Sequence, residues 1–177
     1  AGYISEFVQA HAHDPWFVFA HFMDTHEPHM PPIGVRAQFA TSIADLLITP
    51  FRALHIADPG LLSQSGQRMW RIHSDHYDAQ IAYTDAVVGG ILEQLKLVHC
   101  LENTIVIICA DHGEFMGERG FLRHMAGLGE AVLRVPLILW GPDYVEAGRV
   151  QTGVVELRDI PHSLAHLMGL SGLNAGE

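Results

Sequence analysis

Asp111, His112, Gly113 and Glu114 break abruptly out of an apolar, largely β-branched run over residues 105–110. A carboxylate and a neutral imidazole at the end of a strand can share one hard or borderline divalent ion, and a following glycine lets the backbone turn so that both face it. Asp111 and His112 are therefore the candidate metal ligands. The same two residues also suit a turn-capping aspartate beside a half-buried histidine, and two ligands alone do not make a site.

A second cluster, MDTHEPHMPP over residues 23–32, gathers Asp24, His26, Glu27 and His29 in a loop that Pro28, Pro31 and Pro32 keep from becoming helix. If the two clusters end neighbouring strands, His26 converges with Asp111 and His112. There it serves as a ligand or as a general acid toward a leaving oxygen, work suited to an imidazole that titrates near neutrality. His124 lies in a glycine-rich stretch about a dozen residues past the Asp-His-Gly turn, within reach of the same edge. Apart from such neighbours, His26 and His29 are ordinary loop histidines bonded to backbone. His73, His76 and Tyr77 read as core or solvated-face residues of a helix. So do His162 and His166, an i, i+4 pair without the rest of a metalloprotease signature.

The elements that must position these residues alternate between strand and helix, which indicates an α/β sheet. Residues 2–13 carry a helical pattern that ends at Asp14-Pro15. Residues 16–22, WFVFAHF, are short, aromatic and β-branched, and predict a central strand delivering the 23–32 loop. Helical hints near residues 43–47 and turns such as Asp58-Pro59-Gly60 suggest a surface excursion over residues 33–65. From 67 to 98 no proline occurs, and Trp70, His73, Tyr77, Ile81, Val88, Ile91, Leu92 and Leu95 recur at three and four residue intervals, the mark of a long amphipathic helix. Residues 105–110 predict a buried strand and residues 115–129 a long glycine-rich loop over its end. Residues 136–140, PLILW, predict another buried strand, 151–156 an edge strand, and 158–168 a helix that Gly169 stops.

Composition bounds the function class. The chain has 177 residues, room for one domain with a core, and a net charge of -10 with Lys96 its one lysine. That excludes a basic phosphate-tracking surface, so nucleic acid is not an expected partner. Thirteen histidines against ten Lys plus Arg are the compositional oddity, imidazole being the commonest metal ligand and titrating near neutrality, although no ordinary site needs so many and most serve no chemistry. Cys100 and Cys109 lack CxxC spacing and read as two buried free thiols, leaning toward a reducing, cytoplasmic compartment. No run approaches the roughly 18 apolar residues of a membrane span.

The segments FVFAHFMDTHEPHMPP, YDAQIAYTDAVVGGILEQL, NTIVIICADHGEFMGERG and GEAVLRVPLILWGP, in this order, resemble the sulfatase family of the alkaline phosphatase superfamily over residues 14–170. The resemblance implies an alkaline-phosphatase-like α/β fold with a mixed, mostly parallel sheet flanked by helices. It implies that Asp111 and His112 supply half of a divalent metal site, with Ca2+ the first expectation and Mg2+, Mn2+ or Zn2+ the alternatives. His26, in the H-x-P pattern of THEP, matches the histidine beside the leaving group. His124 matches a residue that contacts the sulfuryl or phosphoryl oxygens, although Met125 and Gly129 depart from the family's pattern there.

Members also carry a paired-aspartate motif and a C-x-P-x-R or S-x-P-x-R segment whose Cys or Ser becomes the formylglycine nucleophile. Neither occurs in this chain. It therefore resembles a single partial catalytic domain over residues 1–177, lacking the nucleophile segment and the small C-terminal subdomain, and is expected to be inactive by itself. The implied activity of the intact protein is metal-dependent hydrolysis of small-molecule or glycan sulfate esters. The alternatives are phosphodiester, phosphonate monoester or phosphoethanolamine chemistry on the same scaffold, or a non-catalytic fragment.

Overall fold

The structure, a computed structural model, describes residues 2–49, 64–118, 121–124 and 127–170. In chain order its elements are α1 (Gly2–Ala10), α2 (Ile33–Arg36), α3 (Ile43–Leu46), α4 (Gln64–Leu97), a 3-10 turn (Leu101–Asn103), β1 (Val106–Cys109), β2 (Phe115–Met116), β3 (Leu122–Arg123), α5 (Glu130–Leu133), β4 (Leu137–Trp140) and α6 (Asp159–Leu167). They group into two units, Ala1–Leu101 with His112–Arg134, and Glu102–Asp111 with Val135–Glu177. The expected turn at residues 58–60 and Met125 lie outside the described residues.

In the first unit the long proline-free stretch forms α4 over 34 residues. Near its C-terminal end, Leu95 joins Val8 of α1 and Cys100 in a core that Ile4, Trp16, Ile91 and Leu92 extend. Near its N-terminal end, Met69 and Ile72 pack with Ile48. The inward face is rotated from the one that apolar spacing predicts. Ile72, His73, His76, Ala79 and Gln80 are buried, whereas Ile81 is exposed. Imidazole and amide side chains occupy core positions here, and a purely apolar pattern does not register them.

Charge ties α3 to α4. The Ser42 hydroxyl caps α3 by accepting from the Asp45 backbone N–H at 3.1 Å. The Asp45 carboxylate, 4% exposed, accepts from the Thr41 hydroxyl at 2.6 Å, Arg68 Nε at 2.8 Å and Arg71 Nη2 at 2.7 Å. The Thr41 and Arg68 hydrogen bonds hold its pKa down at about 2 against the penalty of burial. Asp45→Asn leaves two guanidinium groups facing a neutral amide, and is expected to cost about 2–3 kcal/mol in urea unfolding at neutral pH. An unchanged midpoint would show that this junction carries no stability.

Residues 16–22 do not form the expected central strand. The alternation is present, with Trp16 and Val18 half-buried and Phe17 and Phe19 exposed, but among the described residues no strand pairs with it. A strand exists only through its backbone partners, which side-chain pattern does not specify.

In the second unit β1 and β4 pair antiparallel, Val106 opposite Trp140 and Cys109 opposite Leu137. The strands paired among the described residues are thus antiparallel, β2 with β3 included, where a mostly parallel sheet was expected. Parallel pairing is normally connected by a sheet-covering crossover helix, and the described residues between β1 and β4 form a short hairpin and the four-residue α5. The β1 strand is half-buried rather than fully buried, and Cys109 at its end is exposed, while Cys100 is the buried thiol. Residues 151–156 are exposed and form no strand; the Glu156 N–H instead donates to the Asp159 carboxylate at the start of α6. Gly169, at φ +66, ends that helix as expected, and His162 and His166 face solvent.

Candidate active site

His26 is set by the turn that closes when its backbone N–H donates to Met23 O at 3.1 Å. Its Nδ1 donates to the Glu27 carbonyl at 2.7 Å, which fixes the proton on that nitrogen and leaves Nε2 for chemistry. The Glu27–Pro28 bond is cis.

His112 starts the return of the chain into the first unit. Its Nδ1 donates to the Gly113 carbonyl at 3.1 Å. Gly113 packs tightly against α5, its N–H bonded to Val132 O at 2.8 Å, and a Cβ there would lie 2.1 Å from Ala131 O. Only glycine fits that approach. Two residues on, Glu114 accepts a 2.8 Å hydrogen bond from His124 Nδ1, with the carboxylate 7% and the imidazole 21% exposed.

These residues meet. The ring of His26 lies 5.2 Å from that of His124 and 6.4 Å from that of His112, and His112 and His124 are 4.3 Å apart. The loop and the hairpin that carry them are also tied by charge, Arg123 Nε standing 3.0 Å from Glu27 Oε2. That contact is an ion pair rather than an aligned hydrogen bond, since Oε2 is buried without a hydrogen-bond partner. Arg123 sits at φ +68, a backbone state uncommon outside glycine.

Of the four residues expected at the site, His26, His112 and His124 come together, and Asp111 is the last residue of the second unit's first segment. His112, Glu114 and His124 each offer a donor atom within 4.8 Å of the others, a group able to hold a metal ion. Glu114 was not singled out from sequence. The signal was present: in extended backbone, residues i and i+2 share a face, so Glu114 accompanies His112. Two imidazoles and one carboxylate are donors of the kind that divalent metal ions take.

Beneath the site a second histidine cluster is buried. His29, His73 and His76 are 2%, 3% and 2% exposed, and the His29 ring lies 5.1 Å from His73 and 4.9 Å from Tyr77. The Nδ1 atoms of His29 and His76 have no hydrogen-bond partner. Burial, then the neighbouring imidazoles, lowers the His29 pKa to about 3. Burial lowers His73 to about 4 with help from Arg123, and His76 to about 4 with help from Arg36 and His73. Tyr77 is pushed above its ordinary value by burial and then by the charge of Glu114.

A family model described as Sulfatase matches residues 2–170. The chain belongs to the sulfatase family. Over 167 residues it is 29% identical to a choline-sulfatase of Rhizobium meliloti, covering 91% of this chain and 30% of that protein. Over 147 residues it is 30% identical to a sulfatase of Formosa agariphila, covering 82% and 25%. Over 94 residues it is 37% identical to human arylsulfatase K, covering 53% and 17%. This sulfatase-family chain thus spans less than a third of the length of these relatives. No solved structure matches it. Among the described residues no helix is long and apolar enough to cross a membrane.

Proposed function

We propose that the whole protein hydrolyses sulfate esters, of small molecules or glycans, with the His26, His112, Glu114 and His124 cluster on the leaving-group side of the reaction. The observation that supports this most directly is the convergence of His26 with His112 and His124, in a chain of a family whose named relatives are sulfatases. Ester cleavage at sulfur releases an alkoxide or phenoxide, which needs a proton. His26 Nδ1 is occupied by the Glu27 carbonyl, so protonated His26 hands its Nε2 proton to the departing oxygen. The S–O bond breaks as that O–H bond forms, and the alcohol leaves neutral.

Charge on the transferring sulfuryl group falls to the other side of the cluster. His112, Glu114 and His124 would hold a divalent ion, which when bound supplies Lewis acidity toward the sulfuryl oxygens. The low exposure of Glu114 and His124 strengthens such electrostatics by excluding water. None of these side chains is a Cys or Ser nucleophile, so the attacking group, a formylglycine by the family resemblance, is contributed from elsewhere in the whole protein.

The test is a side-by-side rate measurement with aryl sulfate and aryl phosphate mono- and diesters, using the whole protein. Sulfate esters are expected to turn over fastest. Phosphodiester turnover faster by orders of magnitude would replace this reading with phosphate-ester chemistry on the same scaffold, and no turnover of either would leave a binding module.

A further inference from the structure

We infer that Arg123 sets substrate specificity on the leaving-group side: its guanidinium receives a carboxylate carried by the alcohol part of the sulfate ester. The inference deepens the proposed function, on which its relevance to turnover rests.

Placement comes first. His26 and His124 have ring centroids 5.2 Å apart, and their sequence neighbours Glu27 and Arg123 form a second pair, with Oε2 and Nε at 3.0 Å. The two pairs therefore run side by side, each joining the 23–32 loop to the end of the β2–β3 hairpin. In a regular strand successive residues point to opposite faces, which would part Arg123 from His124. The φ of +68 at Arg123 breaks that alternation. A guanidinium thus borders the imidazole that protonates the departing oxygen, where the rest of the leaving alcohol must lie.

Charge comes second. The Arg123 side chain is 44% exposed, and among the described residues its ion-pair partner is Glu27. That pair engages Nε without an aligned hydrogen bond, and Nη1 and Nη2 make no hydrogen bond to a described residue. Exposed single pairs of this kind are weak and readily exchanged. Arg68 and Arg71 differ, since each donates a short hydrogen bond to the buried Asp45 carboxylate. The Arg123 charge also acts on His73, whose pKa of about 4 keeps its imidazole neutral and so supplies no counter-charge. The planar end of a guanidinium fits a carboxylate through two parallel N–H···O bonds. Glu27 already brings one carboxylate to Nε, and a substrate carboxylate takes the Nη1 and Nη2 edge that remains.

The whole protein is assayed with para-carboxyphenyl sulfate and with its uncharged analogue para-carbamoylphenyl sulfate, whose leaving phenols have similar acidity. The carboxylate ester should show the lower KM, and a kcat/KM higher by roughly tenfold to a hundredfold, the worth of a charge-assisted hydrogen bond. Arg123→Gln should erase that preference by raising KM for the carboxylate ester alone. Glu27→Gln removes the competing carboxylate but keeps the backbone carbonyl that holds His26, and should lower that KM further. Opposite effects from the two partners of one ion pair are not produced by a purely structural bridge. Far-UV circular dichroism confirms that both variants are folded, and Arg123→Lys, which keeps the charge without the fork, should retain part of the preference. Equal rate losses for the two esters in Arg123→Gln overturn the inference, as does a wild type that does not prefer the carboxylate ester. If neither ester turns over, the hydrolase reading fails by itself, and calorimetric binding of para-hydroxybenzoate against para-hydroxybenzamide decides for Arg123. Preference for the acid that Arg123→Gln removes sustains the carboxylate site, and equal binding of the two overturns it.

Discussion

Acidification from neutral pH toward about pH 4.5 is expected to destabilise this chain steeply, because three imidazoles are buried in their neutral forms. His29, His73 and His76 have an ordinary pKa of 6.5 when unfolded and about 3, 4 and 4 in the folded chain. Between those limits the unfolded chain binds more protons than the folded one, so stability rises with pH there and falls as acid is added. Above 6.5 all three are neutral in both states and contribute no slope. Each proton is worth about 1.4 kcal/mol per pH unit, so three acting together give about 4 kcal/mol per unit. A domain typically holds about 5–15 kcal/mol in total, and two pH units thus approach complete unfolding.

The groups facing these imidazoles set the detail. Arg123 and Arg36 reinforce the effect on His73 and His76, and His26 reinforces it on His29. Asp75 opposes it, because burial raises its pKa and the folded chain keeps that proton to higher pH than the unfolded one. Asp45, held near 2, titrates below the histidine window. Urea midpoints measured at several pH values between neutrality and 4.5 read the slope directly. Replacing any one of the three histidines by glutamine should flatten it by about a third. A slope unchanged in all three variants would mean that these imidazoles already charge in the folded chain.

How much of this was legible in sequence depends on which physical signal each feature leaves. The helices were legible because α1, α4 and α6 write their periodicity and stops into side chains: Asp14-Pro15 after α1, the proline-free stretch of α4, Gly169 after α6. Strand pairing was not, because residues 16–22 have the pattern of a strand without a partner among the described residues. The antiparallel pairing of β1 and β4 depends on how the chain returns, which side-chain type does not encode.

Within the site, sequence expected His26, Asp111 and His112 to converge if their strands were neighbours, with His124 in reach, and the structure brings His26, His112 and His124 together. It gave no role to Glu114 and Glu27, whose partners His124 and Arg123 lie at the end of the β2–β3 hairpin. His29 was the more instructive case. Three residues from His26 and of the same type, it is turned inward onto α4. One loop thus carries a histidine that meets His112 and His124 and another buried against α4, a distinction of burial that sequence spacing does not express.

That distinction yields the largest kinetic effect. In the whole protein His26→Ala is expected to lower kcat/KM for an alkyl sulfate ester by roughly 10²–10⁴-fold, the usual worth of a positioned general acid. The loss should shrink sharply for a nitrophenyl sulfate, whose leaving oxygen is stable as an anion and needs little protonation. His29→Asn should behave oppositely: its melting temperature falls, since a buried anchor against His73 and Tyr77 is removed, while the remaining folded enzyme keeps the wild-type dependence on leaving group. Equal rate losses for good and poor leaving groups in His26→Ala would show that this imidazole does not deliver the proton. The Nε2 atom left open by the Glu27 hydrogen bond would then be a binding contact for the ester.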